Sequence, residues 1–308
     1  MKRKQARVFL VALLLVLVGA SAAFSQGLPI YNNIPNPLPG NLDSWGFEAT
    51  GTSEFGDRVM FAAATGRKLT TVTVTMSSFS CQAGYWFSGD CATTPGATFS
   101  HPITLNIYNV VAGNQVGTLI GSVTQTFAIP LRPSADNVNC TGANAGKWFD
   151  ASSNRCFNGK ANNVTFNLSG LLVPNEVIFG VAYNTTNYGY APIGMAAPCT
   201  TSAGGCGYDG LNVGVTDPAV DNTVGSNPAP DDAYQYTVYS SCTNGAIIPF
   251  GLDAGCWTGF KPAIKFNAAN PPLTKDDCKN GGWQTHTTAS GQLFPNQGQC
   301  IQYVNTGK

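Results

Sequence analysis

Carboxylates are scarce in this 308-residue chain, 16 Asp and Glu in all, and two groups of them are spaced for chemistry. Asp217, Asp221, Asp231 and Asp232 fall in one Gly-, Pro- and Asn-rich stretch, and Ca2+ takes carboxylate and carbonyl oxygens from irregular segments of this kind. The opposing reading is a solvated acidic loop, because no Asp-x-Asp-x-Asp-Gly spacing is present. The second group is Glu48 and Glu54, which flank an expected turn. Glycoside hydrolysis needs only a carboxylate pair, so a carbohydrate-active hydrolase stands as an alternative; a surface or strand-edge place for both residues is the simpler reading.

Other catalytic arrangements have less to build on. The two histidines, His101 and His286, belong to different expected modules, and no serine sits in a Gly-x-Ser-x-Gly elbow. No residue is therefore assigned as catalytic. Aromatic residues in long connections offer binding instead: Tyr85, Trp86 and Phe87, then Trp148 and Phe149, then Tyr188 and Tyr190. Rings present large apolar area with little entropy to lose, which suits flat ligands such as sugars. Trp86, Trp148, Tyr188 and Tyr190 are the expected ligand-binding residues. The competing expectation is that Trp86 and Trp148 pack over neighbouring disulfides as loop cores.

Those disulfides follow from ten cysteines, Cys81, Cys91, Cys140, Cys156, Cys199, Cys206, Cys242, Cys256, Cys278 and Cys300, with no CxxC pair. An even set without metal-type spacing reads as a disulfide framework. Clustering predicts that each cysteine pairs with its sequence neighbour, giving five local staples. Export is expected independently. Lys2, Arg3, Lys4 and Arg7 precede the apolar run Val8 to Val18 and a small-residue zone up to Ser25, the layout of a signal peptide over residues 1–25. The run is too short for a spanning helix, which needs about 20 residues, and no membrane insertion is expected after cleavage.

Charge narrows the partners. The full chain carries 16 Lys and Arg against 16 Asp and Glu, and the signal removes four of the basic residues. A slightly acidic mature chain lacks the basic surface that phosphate binding demands, so no nucleic-acid partner is expected.

The elements that must position these residues read as strands. Leu69–Met76 alternates Val72, Val74 and Met76 with threonines, the period of a half-buried strand. The same signature marks 58–62, 103–108, 118–127, 163–168, 176–183, 211–215, 234–239 and 263–266. Short strands without βα alternation predict an all-β fold, a two-sheet antiparallel β-sandwich of jelly-roll type with long disulfide-stapled loops. Proline-rich 26–42 reads as an extended leader or linker, 43–268 as the sandwich, and 269–308 as a small disulfide-stapled C-terminal module. No segment of the mature chain has helical periodicity.

Gly46–Phe61, Leu69–Ser78 and Pro102–Asn109 resemble a group of uncharacterised secreted bacterial β-sandwich proteins. The Cys-Lys-x-Gly-Gly-Trp pattern at Cys278–Trp283, with Asn-Gln-Gly-x-Cys at Asn296–Cys300, is similar to a short C-terminal module on exported proteins of actinobacterial type. The resemblance implies a secreted β-sandwich and brings no activity, cofactor or catalytic residue. The expected function is a secreted, non-catalytic extracellular binding or surface-associated protein. Its expected partner is a polysaccharide or cell-surface component, and Ca2+ is its one candidate cofactor.

Overall fold

Strand formation starts from the alternation around Val72. In the computed structural model, which describes residues 27–62, 67–84, 86–184, 210–216, 223–240 and 242–308, that segment is β4, Lys68–Ser78. Before it come β1 (Leu28–Asn32), β2 (Asp43–Trp45), the single turn α1 (Phe47–Thr50) and β3 (Glu54–Met60); after it come β5 (Thr98–Val111), β6 (Gln115–Pro130), β7 (Trp148–Asp150), β8 (Arg155–Phe157), β9 (Lys160–Leu172) and β10 (Glu176–Ala182). The chain closes with β11 (Leu211–Thr216), β12 (Asp232–Thr237), β13 (Ile247–Ala254), β14 (Lys261–Pro262), β15 (Ile264–Ala269) and α2 (Gln297–Thr306).

Two antiparallel sheets result, as expected for a sandwich. Sheet A is built around β4, which pairs with β9 along one side and with β15 and then β11 along the other; β1 borders β15, while β2 and β14 border β11. Sheet B runs β13-β12-β3-β10-β5-β6. Val72, Val74 and Met76 of β4, Phe166 of β9 and Phe266 of β15 face Phe55, Val59, Phe179, Val181, Leu105 and Ile107 of sheet B in one buried core. Each such side chain contributes about 1.5–3 kcal/mol when fully buried.

The threonine face of β4 is buried as well, and its hydroxyls are matched across the sheet. Thr73 bonds Thr165 at 2.9 Å, Thr75 donates to Asn163 at 2.6 Å, and Thr71 accepts from Asn267 at 2.9 Å. A bulge interrupts the β4–β9 ladder between Leu69 and Thr71, where Gly170 takes φ 84°, a left-handed backbone that a side chain disfavours.

The long hairpin β5–β6 brings the two sheets together along one edge. The Gln125 amide donates to the Asn167 carbonyl and accepts its N–H at 3.1 and 3.4 Å, and Phe127 meets Phe166 edge-on at 4.9 Å. On the outer face of sheet B, Tyr108 stacks on Phe250 at 5.3 Å over Ile178 and Tyr234.

Two expectations need correction. The leader or linker expected over 26–42 includes a strand: Leu28–Asn32, as β1, pairs with β15 and buries Ile30 and Tyr31; Pro29 is tolerated because a border strand can spare an N–H. The C-terminal segment also carries a helix, α2, capped by Asn296, which accepts from Gln299 N at 2.9 Å, and closed by Gly307 at φ 71°. Around the Cys278–Cys300 disulfide, Phe294, Trp283, Ile301 and Tyr303 form a separate small core, joined to the sheets through Thr287–Asn270 and Gly27–Gly291 hydrogen bonds.

Candidate functional site

Four of the five expected staples are present: Cys81–Cys91, Cys140–Cys156, Cys242–Cys256 and Cys278–Cys300. Cys199 and Cys206 lie outside the described residues. The stapled loops at Cys81–Cys91 and Cys140–Cys156 touch each other where Gly89 meets Gly146. Arg132 holds them from below: fully buried, it donates to the carbonyls of Gly146 (2.6 Å), Asn158 and Pro133. Burial pushes its pKa down to about 10.

This arrangement decides the place of the expected aromatic residues. Trp148 is 4% exposed; its indole N–H donates to Gly159 O at 2.6 Å, its ring lies 5.6 Å from Phe157, and the Lys160 ammonium sits 4.8 Å above it. Trp148 is thus a core residue of its loop and not an open platform, because the Cys140–Cys156 staple folds β7 and β8 onto it. Trp86 is half-buried against Phe79 at 5.0 Å, with Phe87 edge-on at 5.6 Å and 68% exposed. Tyr85, Tyr188 and Tyr190 lie outside the described residues.

Of the four acidic residues considered for a cation, Asp231 and Asp232 lie among the described residues. Asp231 accepts the Thr258 hydroxyl, and its carbonyl takes the N–H groups of Gly255 and Trp257. Asp232 opens β12. Asp217 and Asp221 lie outside the described residues, and among the described ones no three His, Cys, Asp or Glu side chains converge. Of the carboxylate pair, the Glu48 side chain is not described. Glu54 is 7% exposed on the outer face of sheet B, where Asn106 Nδ2 and Tyr108 Oη both donate to it at 2.9 Å. Burial raises its pKa against those two hydrogen bonds. Its carboxylate lies against Gly180, where a Cβ would come within 2.0 Å of it.

An aromatic groove forms elsewhere, at residues that spacing did not single out. Pairing of β2 with β11 places Asp43, Ser44 and Trp45 beside Val215, and the Cys242–Cys256 staple brings Trp257 and Phe260 opposite them. These residues line a hollow of about 210 Å³. Trp45 lies 4.8 Å from Trp257 and 5.9 Å from Phe55. Both indoles are fixed, with Trp45 Nε1 donating to Thr52 at 3.0 Å and Trp257 Nε1 to Asp253 at 3.0 Å. Asp253 is itself buried and accepts from Gln235 and Ser240, both at 2.5 Å.

A second hollow of about 430 Å³ shares Asp43 and Val215 with the first and continues past Pro35, Pro37, Asn41, Arg155 and Phe157. The Arg155 guanidinium lies 5.3 Å over the Phe157 ring. The two hollows make one groove walled at each end by a disulfide loop, with aromatic faces at one end and Asp43, Asn41 and Arg155 as its polar groups. Trp45 and Trp257 stand next to signals that the sequence does carry, the first residues of regular structure and a staple cysteine. Comparison with protein-family models, with curated proteins and with solved structures finds no match for this chain.

Proposed function

We propose that the protein is an extracellular, non-catalytic binding protein whose polysaccharide ligand lies along the groove over Trp45 and Phe260, with Trp257, 3% exposed, as the buried ring that supports Trp45 at 4.8 Å. The observation that carries this reading is the fixed state of the rings before any ligand arrives: both indole N–H groups are bonded, and Cys256 ties the Trp257 loop to Cys242. Preorganised rings lower the entropy cost of binding, and ring faces beside a few polar groups fit the alternating apolar and hydroxyl surfaces of a sugar. Binding is favoured over hydrolysis because the described lining holds one carboxylate, Asp43, where glycoside hydrolysis uses two. Glu54 sits apart from it beneath Tyr108. Export through the basic and apolar N-terminal segment, and the resemblance to secreted bacterial sandwiches, support an extracellular setting.

Phe260 provides the clean test, since it is 47% exposed and its loss leaves the core intact. Phe260→Ala should weaken retention on the preferred member of a panel of insoluble cellulose, chitin, starch and xylan by about tenfold, equivalent to about 1.4 kcal/mol. The melting temperature should stay within experimental scatter of the parent. Asp43→Asn should weaken retention with the same unchanged stability. Undiminished retention in both variants, or soluble sugar released by the parent protein, overturns the reading.

A further inference from the structure

We propose that the outer face of sheet B carries a second ligand site, where Glu54 takes the protonated amine of an amino sugar beside the ring of Tyr236. Strand pairing builds the place. Tyr236 of β12 stands directly opposite Glu54 of β3, Glu54 opposite Ala182 of β10, Ala182 opposite Thr104 of β5, and Thr104 opposite Thr124 of β6. Directly opposed residues share a face of the sheet, with Cβ atoms about 4.5–5.5 Å apart. The row therefore reads aromatic ring, carboxylate, methyl and two hydroxyls, and none of these residues lines the groove over Trp45.

Glu54 is held in place with one oxygen left over. Asn106 Nδ2 and Tyr108 Oη both donate to Oε1 at 2.9 Å, and Oε2 accepts from none of the described residues. The side-chain oxygens sealed from solvent without a partner are Ser78 Oγ and Gln235 Oε1. Glu54 Oε2 is not one of them, so it meets solvent although the residue as a whole is 7% exposed. Its two donors are themselves fixed: Asn106 accepts from the Ser122 hydroxyl at 2.7 Å, and Tyr108 stacks on Phe250 at 5.3 Å. No cation balances the carboxylate. Arg58 lies on the same face but is engaged by Glu176 and Asn114, each at 2.5 Å, and the other ion pair among the described residues is Lys279–Asp276.

A carboxylate buried without a counter-charge is costly. An ammonium on Oε2 removes that cost through a charge-assisted hydrogen bond, and the face of Tyr236, 38% exposed, attracts the same cation. The neighbouring groups select the kind of amine. The hydroxyls of Thr104 and Thr124, bonded to each other at 2.7 Å, suit the ring hydroxyls of a sugar whose apolar face lies on Tyr236. An alkylammonium chain, such as a lysine side chain, covers the same hydroxyls without pairing them.

Titration calorimetry with the glucosamine tetramer and its fully N-acetylated counterpart tests this site, because acetylation removes the charge and keeps the sugar. The parent should bind the amine form about tenfold more tightly than the acetylated form. Glu54→Gln, which still offers an acceptor to Asn106 and Tyr108, should lose that preference. Tyr236→Ala, a change at the surface, should weaken the amine form about tenfold with the melting temperature unchanged. Equal affinity of the parent for the two tetramers overturns the proposal, as does a preference that survives in Glu54→Gln. Tetralysine bound as tightly as the glucosamine tetramer, and weakened equally by Glu54→Gln, overturns the assignment to a sugar.

Discussion

Arg132→Ala is expected to lower unfolding stability by about 3–5 kcal/mol, the range for emptying a large buried site and leaving its partners unpaired. The guanidinium is fully buried, and its donors go to three backbone carbonyls, those of Pro133, Gly146 and Asn158. No carboxylate stands within ion-pair reach of it among the described residues, so its role is to fix loop geometry through a planar set of donors. Lysine offers a single ammonium in place of that fork, and Arg132→Lys should recover less than half of the loss. Urea unfolding measures the energy. Limited proteolysis checks its location, since cleavage within 81–91 and 140–156 should precede global unfolding in the variant. A loss below about 1 kcal/mol would mean that the two disulfides hold the loops without Arg132.

Asp57 and His101 are expected to give opposite slopes to stability against pH. Burial raises the Asp57 pKa from 3.8 to about 7, so the folded protein binds more protons than the unfolded chain between those values. Its contribution is complete below about pH 4 and is lost as pH rises to 7, amounting to about 4 kcal/mol. Burial moves His101 the other way, from 6.5 down to about 4. The folded protein then binds fewer protons in that window, and about 3 kcal/mol of stability is lost as pH falls from 6.5 to 4.

In the parent from pH 4 to 7 the two slopes oppose each other, with buried Glu54, its pKa also raised, adding to the Asp57 side. His101→Phe, which retains a ring beside Phe99 and Tyr183, should become less stable as pH rises through this range, and Asp57→Asn should become more stable. Parallel profiles in the two variants would contradict the assignment.

The strands were legible because their energetic origin is local. Alternation of Val72, Val74 and Met76 with threonine located β4, and β-branched runs located most of its neighbours, although Ser, Asn and Gly at the ends hid several residues of β5, β6 and β9. β1 was hidden by Pro29, which a border position accepts, and by the prolines that follow the strand. Helix α2 was hidden by a polar sequence that buries only Cys300; Asn296 and Gly307 were its visible signals.

Nearest-neighbour pairing of cysteines was readable for the four described staples because short loops close at small entropic cost. The groove was not readable. Asp43, Trp45, Val215 and Trp257 meet only through strand pairing across more than 200 residues of chain, and no spacing rule encodes such a meeting. The same limit applies to Trp148: its residue type suggested a platform, but its exposure was set by how β7 and β8 close over it.

The side-chain amide of Gln125 has a bearing on how these molecules behave at high concentration. Strand β9 borders sheet A, and an uncovered border strand is a template on which a second molecule can add its own strand. By occupying both hydrogen-bonding groups of Asn167 from within the same molecule, Gln125 takes the centre of that border out of play, while Phe127 on Phe166 shields it sterically. The molecule is thereby protected against side-by-side polymerisation along this edge, a hazard for any β-rich protein meant to persist in a crowded matrix.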